Sequence, residues 1–189
     1  IGEDVRNARN ALALYARSMK LLDLAEQSSL VEEVLGACER TSDHDTLSWL
    51  LMAAARLGYG IQDTRTNERI RKLARTLAHE PLPLPLRVCA VMAHAFATWG
   101  AGKFSAYPTT VTELRAVGEE SRRAGLNCLA TAKLDNTLGS VEAARGAYQA
   151  ALEAFLRAYT TCREVGNEWW MGVCAMNVSM ASSRLGYYP

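Results

Sequence analysis

Very little of this sequence alternates apolar with polar residues, which excludes strands as its main building element. Its longest apolar runs, such as Leu47 to Ala55, fall well short of the roughly 20 residues a bilayer-crossing helix needs. Neither sign of charge dominates: 21 basic residues stand against 20 acidic ones, and a formal net charge of +1 gives no reason to expect nucleic acid or an anionic membrane as partner. Glu3, Asp4, Arg6 and Arg9 occupy the stretch where a signal peptide would need an apolar segment, so a cytoplasmic protein is expected. Five cysteines make an odd count with no C-x-x-C pair. Each sits among apolar helical residues, as expected of small buried hydrophobes in a reducing compartment.

Chemistry-bearing patterns are equally scarce. There is no H-E-x-x-H, G-x-S-x-G, P-loop or G-x-G-x-x-G. Of three histidines, His44 lies between Asp43 and Asp45, acids suited to capping a helix, and His79 ends a basic helix. His94 has no Cys, Asp or Glu three or four residues away, so it forms no metal-ligand pair within its helix. The pairs Glu32-Glu33 and Glu119-Glu120 point about 100° apart on a helix and read as solvated faces. Nothing couples a nucleophile to a base. No enzymatic activity, metal or cofactor is expected of these residues.

What the chain does contain is helical periodicity almost throughout. Helices are expected over Asp4 to about Leu24, Ser28-Ser29 (as N-cap) to Arg40, Asp45 to Leu57 with a stop at Gly58, and Thr64 or Thr66 to His79. Glu80 to Pro85 reads as an extended connector, because each proline disfavours helical geometry in the residue before it. Further helices are expected from Pro85 to Trp99, Thr109 to Arg123, Leu126 to Arg145, Tyr148 to Val165 and Glu168 to Leu185, with Gly102 to Pro108 irregular. Of Trp169 and Trp170, one is expected in the core and the other on the surface. The basic run Arg65, Arg69, Arg71, Lys72, Arg75 reads as a solvated face.

Gly58, Gly100, Gly146 and Gly186 follow alternate helices at intervals near forty residues. A fixed period of that length marks stacked helical hairpins. Leu138-Gly139, Gly146, Tyr148, Ala151, Phe155 and Ala158 stand in an order and spacing that resembles the tetratricopeptide repeat, and Asn177, Val178, Ser179, Gly186 and Tyr188 begin another copy. Gly166-Asn167 joins successive units as in the longer repeats of bacterial regulatory proteins. The resemblance implies an all-α fold, a right-handed α-α superhelix of antiparallel hairpins with about nine helices. An N-terminal helical pair over 1–44 would precede repeats at 45–80, 85–125 and 126–167 and an incomplete one at 168–189, whose missing second helix suggests a segment of a longer chain. In that family such repeats precede diguanylate cyclase, helix-turn-helix or kinase outputs.

Placed on that pattern, one side of the array carries Asp45, Ser48, Met52 and Arg56, then Arg87, Ala90, His94 and Thr98, then Lys133, Asn136 and Ser140, then Met176, Met180 and Arg184. A concave groove mixing cations, amides and methionines suits an extended peptide or an acidic helix of a partner protein. Two rival expectations are self-association through exposed end helices and a small-ligand pocket near His94 and Cys89.

Overall fold

The computed structural model describes residues 24–61, 63–126 and 128–187, with nothing said of the side chains of residues 24, 25, 45 and 49. The helix expected over Asp4–Leu24 therefore lies outside the described residues except at its last position, and so do Tyr188 and Pro189. Eight α-helices occur among the described residues: α1 (Leu24–Arg40), α2 (His44–Ile61), α3 (Thr64–Ala78), α4 (Leu84–Gly100), α5 (Tyr107–Arg123), α6 (Leu129–Ala144), α7 (Tyr148–Glu164) and α8 (Glu168–Arg184). No strand is found there. The chain divides into two compact units, Ile1–Lys103 and Phe104–Pro189.

In the first unit α2 packs against α1, α3 and α4, and α3 also packs against α4. The contact is made by small side chains: Ala53, Ala54 and Ala55 of α2 and Ala90, Ala93 and Ala97 of α4 are all fully buried. Alanine gives good helix propensity and lets helix axes approach closely. Leu35, Leu51, Ile70 and Val88 fill the space between them.

Two local expectations are corrected here. Helix α1 is already formed at Leu24 and runs through Ser28-Ser29, so these serines are not its N-cap. Helix α2 runs through Gly58 and Gly60 to Ile61, so Gly58 is not a left-handed stop. Gly58 and Gly100 serve instead to admit one buried side chain. A Cβ on Gly58 would lie 2.8 Å from Asn67 Oδ1, and one on Gly100 would lie 2.6 to 2.8 Å from three Asn67 atoms. Asn67 Nδ2 donates to the carbonyls of Gly58 at 2.8 Å and Asp63 at 2.9 Å. The helix starts are capped by acids: Asp43 Oδ2 accepts from Thr46 N at 2.9 Å, and Asp63 Oδ2, rather than Thr64 or Thr66, accepts from Thr66 N at 2.8 Å.

The second unit is a succession in which α5 packs on α6, α6 on α7 and α7 on α8. Each reversal uses a left-handed glycine, with φ of +69° at Gly125, +78° at Gly146 and +68° at Gly166, and Gly186 after α8 repeats it at +78°. The hydrogen bonds repeat too. At Gly146 the glycine N–H donates to Ala143 O and the next N–H, Ala147, to Glu142 O; at Gly166 the partners are Arg163 and Cys162. These are Schellman closures, satisfying carbonyls a helix end would otherwise leave open. Gly102, in the first unit, closes α4 in the same way with φ of +64°. Turn glycines thus fall after every helix from α4 onward, at Gly125 and Gly166 as well as at Gly146 and Gly186, where the sequence also ends helices.

Gly139 has a different duty. A Cβ there would lie 2.6 Å from two ring carbons of Phe155, which is fully buried on α7. Glycine to alanine inside a helix gains about 1 kcal/mol in propensity, whereas forcing a methyl into a filled core costs about 1–3 kcal/mol. Gly139→Ala is expected to lower the urea midpoint, and Phe155→Leu in the same chain to recover part of the loss. A midpoint unchanged or raised in Gly139→Ala would contradict the packing described.

Candidate functional site

Helix α6 buries two carboxylates, Asp135 and Glu142, seven residues apart. Seven residues is two helical turns, so both lie on one face. Helix α5 carries Arg115 and Arg122 at the same interval. Because α5 and α6 run antiparallel, Arg122 meets Asp135 and Arg115 meets Glu142, at 3.3 and 2.5 Å. A second arginine completes each pair, Arg157 of α7 at 3.3 Å from Asp135 and Arg145 at 3.0 Å from Glu142. The acids are interior and the bases are not: the Asp135 side chain is 4% exposed, against 41% and 42% for Arg122 and Arg157.

Around Asp135 the helices part to form a cavity of about 490 Å³, bounded by Arg122 and the Gly125 turn, by Thr131 and Asp135 of α6, and by Leu156, Arg157, Thr160, Thr161 and Glu164 of α7. Thr131 Oγ1 donates to the carbonyl of Leu126, pinning the turn that forms one edge. Leu156 is an exposed apolar side chain on the wall. Burial pushes the Asp135 carboxyl above its ordinary range, more strongly than Arg157 and Arg122 pull it down.

Chemically, the cleft holds one carboxylate between two guanidiniums. Arg122 bonds to Asp135 through Nη1 alone and Arg157 through Nε alone. A guanidinium has five N–H donors in a planar fork. The donors that Asp135 does not use give the cleft two forks suited to a carboxylate or phosphate oxygen. Thr160 and Thr161 add hydroxyls to the same wall, and Glu164 sets a negative charge at its rim. No metal-holding group of three His, Cys, Asp or Glu occurs among the described residues.

No protein-family model matches the chain, and no curated protein matches it.

The residues expected to line a groove are placed unevenly. In the first unit Ser48, Met52, Ala90, His94 and Thr98 are buried, and Ser48 Oγ donates to His44 O within its own helix at 2.7 Å. Arg56 and Arg87 are half-buried, with the Arg56 guanidinium 5.4 Å from the centre of the Phe96 ring. Asp45 lies in α2, and its side chain falls outside the description. In the second unit Asn136 is buried, its Oδ1 accepting from Asn177 Nδ2 at 2.8 Å. Lys133 is half-buried with its ammonium 5.1 Å from the Trp170 ring, and Ser140 Oγ donates to Asn136 O. Met176, Met180 and Arg184 are exposed on α8. Cys89, like His94, is a buried residue of α4.

The basic helix α3 turns out to be tied internally: Arg69 reaches Glu32 at 2.7 Å and Glu39 at 2.8 Å on α1, and Arg71 pairs with Glu68 at 2.7 Å. The cleft residues Arg122, Asp135 and Arg157 were not among those singled out from sequence. Their signal was present, in two acids seven residues apart on one helix matched by two arginines at the same spacing one helix earlier, on either side of the Gly125 turn.

The raised carboxyl pKa has a definite sign for stability. The folded chain holds the Asp135 proton more tightly than the unfolded chain, where the ordinary value is 3.8. Its contribution is therefore fully present below about that value and lost as pH rises through the folded pKa. Asp135→Asn is expected to remove that decline. Plotted against pH, the difference in urea midpoint between Asp135→Asn and the parent should rise from pH 4 upward and then level off; a difference that falls with pH is the contrary result.

Proposed function

We propose that this chain is a tetratricopeptide-like repeat scaffold that binds an acidic segment of another protein, with a carboxylate of that segment received by the Arg122–Arg157 cleft. The carrying observation is the pair of half-exposed guanidiniums held on a buried carboxylate, with donors left for a ligand. Supporting the repeat reading are the helix lengths, the recurring Schellman turns at Gly125, Gly146, Gly166 and Gly186, and the Gly139–Phe155 approach on the motif residues. In this reading the chain supplies recognition and no catalysis. It would act as the interaction or sensory segment of a larger regulator.

A second reading uses the same chemistry. A cavity of about 490 Å³ lies within the range that encloses small ligands, so a free dicarboxylate is the alternative occupant. The probes that separate the two are a fluorescein-labelled oligoglutamate peptide, followed by anisotropy, and glutarate as competitor.

Arg157→Gln leaves Asp135 one partner and is expected to weaken peptide binding by about tenfold, the scale of one lost charge-assisted hydrogen bond. Asp135→Asn frees both guanidiniums and is expected to tighten it. Loss of fold cannot mimic that opposite response. Displacement by glutarate at concentrations below those of the peptide favours the small-ligand reading. Absence of binding by both probes, or indifference to both substitutions, defeats the proposal.

A further inference from the structure

The two buried acids of α6 are held differently. Glu142 is bonded by Arg145 at 3.0 Å and by Arg115 at shorter range still, and it is not part of the cavity wall. Asp135 has both its guanidiniums at 3.3 Å, longer than the roughly 2.7–2.9 Å of a strong charge-assisted bond, and it lies on that wall. The charged groups facing Asp135 are Arg122 from α5 and Arg157 from α7, with Glu164 farther along the α7 wall. On its own helix, Lys133 is turned to the Trp170 ring and Glu142 is engaged by Arg115 and Arg145.

An anion that enters this cavity meets the same two guanidiniums. In the empty cleft they face one carboxylate. With a ligand carboxylate bound, two carboxylates share them, and like charges in one site disfavour each other's ionised form. Burial decides which of the two takes the proton. The Asp135 side chain is 4% exposed, whereas a ligand lies on the half-exposed side of the guanidiniums. Even with both arginines to itself, the Asp135 carboxyl is held above its ordinary range by burial, so it is the group closer to protonation. A neutral Asp135 releases both guanidiniums to the ligand, and the occupied cleft then carries the same net charge as the empty one.

We infer that anion binding in the Arg122–Arg157 cleft is coupled to proton uptake by Asp135, an inference that rests on the reading of the cleft as a carboxylate receptor. The proton passes from solvent to a carboxylate oxygen of Asp135, and both arginines keep theirs. Such coupling is reciprocal: a bound anion raises the proton affinity of Asp135, and a proton on Asp135 raises the affinity for the anion by the same factor. The sign is fixed by this reciprocity. Binding tightens as pH falls, for as long as the ligand stays ionised.

The test is calorimetry of an unlabelled oligoglutamate peptide with the full 189-residue chain, at about pH 8 and about pH 6, where glutamate side chains of ordinary pKa about 4.3 stay ionised. Affinity at the lower pH is expected to exceed that at the higher by about fivefold or more, the lower end of ordinary coupling between sites. Two buffers of different ionisation heat, neither of them an anion able to enter the cleft, should give different binding heats at the lower pH, in the direction of proton uptake. Asp135→Asn has no charge to neutralise, so its affinity should be the same at both pH values and its binding heat the same in both buffers. Unchanged helical circular dichroism checks that this variant folds. Equal affinity at both pH values in the parent, with no difference between buffers, overturns the inference and leaves the cleft reading standing. A pH dependence that survives in Asp135→Asn places the proton elsewhere, on Glu164 or the peptide, and overturns it too. Absence of binding at both pH values defeats the cleft reading and this inference with it.

Discussion

The second unit depends on the need of two interior carboxylates for partners. Asp135 and Glu142 lie within the packed surface of α6, and an unpaired charge there would cost several kcal/mol. The arginines that answer them come from α5, from α7 and from Arg145 at the end of α6, so the pairing specifies more than charge balance. Arg115 with Glu142 and Arg122 with Asp135 can both form only if α5 lies antiparallel to α6 at one register. Apolar side chains alone tolerate sliding by a turn, since one alanine or leucine packs much like another. Two ion pairs seven residues apart do not.

The same requirement opens the cleft. Arg122 and Arg157 bond to the buried Asp135 while their side chains stay 41% and 42% exposed, in the manner of long basic side chains that keep their charge near solvent. The cavity is bounded by both arginines and by Asp135 itself. What stabilises the register therefore also presents hydrogen-bond donors at a surface. Glu142, by contrast, is answered by Arg145, the residue that caps its own helix, as well as by Arg115, and the cavity walls do not include it. In the first unit the corresponding specific contact is neutral. Asn67 takes the space made by Gly58 and Gly100 and bonds to backbone carbonyls, which fixes α3 against both α2 and α4 without burying a charge.

Much of the helix pattern was legible in the residues. The boundaries from Tyr107 onward fall within a few positions of those expected, because Gly125, Gly146, Gly166 and Gly186 each sit where a left-handed closure leaves no alternative for a residue with a Cβ. The split between Trp169, exposed, and Trp170, packed against the core, also followed from their adjacency on a helix. Where expectation failed, the residue had two physical uses. Glycine serves a left-handed turn or a close approach equally well, and Gly58 and Gly100 were read as the first when their surroundings make them the second. Ser28-Ser29 resemble a cap, yet serine is tolerated inside a helix whose neighbours supply the packing. The candidate site was less legible still. Ser48, Met52, His94 and Asn136 carry groups able to contact a ligand, and burial by neighbouring helices assigns them to the interior.

By itself, then, the sequence determined that this chain is helical, where most helices end from Gly102 onward, and which faces are apolar, because backbone closure and periodicity are local properties. Tertiary structure alone decided which acid meets which arginine, which glycine makes room for Asn67 and which polar residues are covered. Those outcomes depend on what lies across a helix interface, at separations of 27 residues for Arg115 and Glu142 and 22 for Asp135 and Arg157, where no local rule reaches.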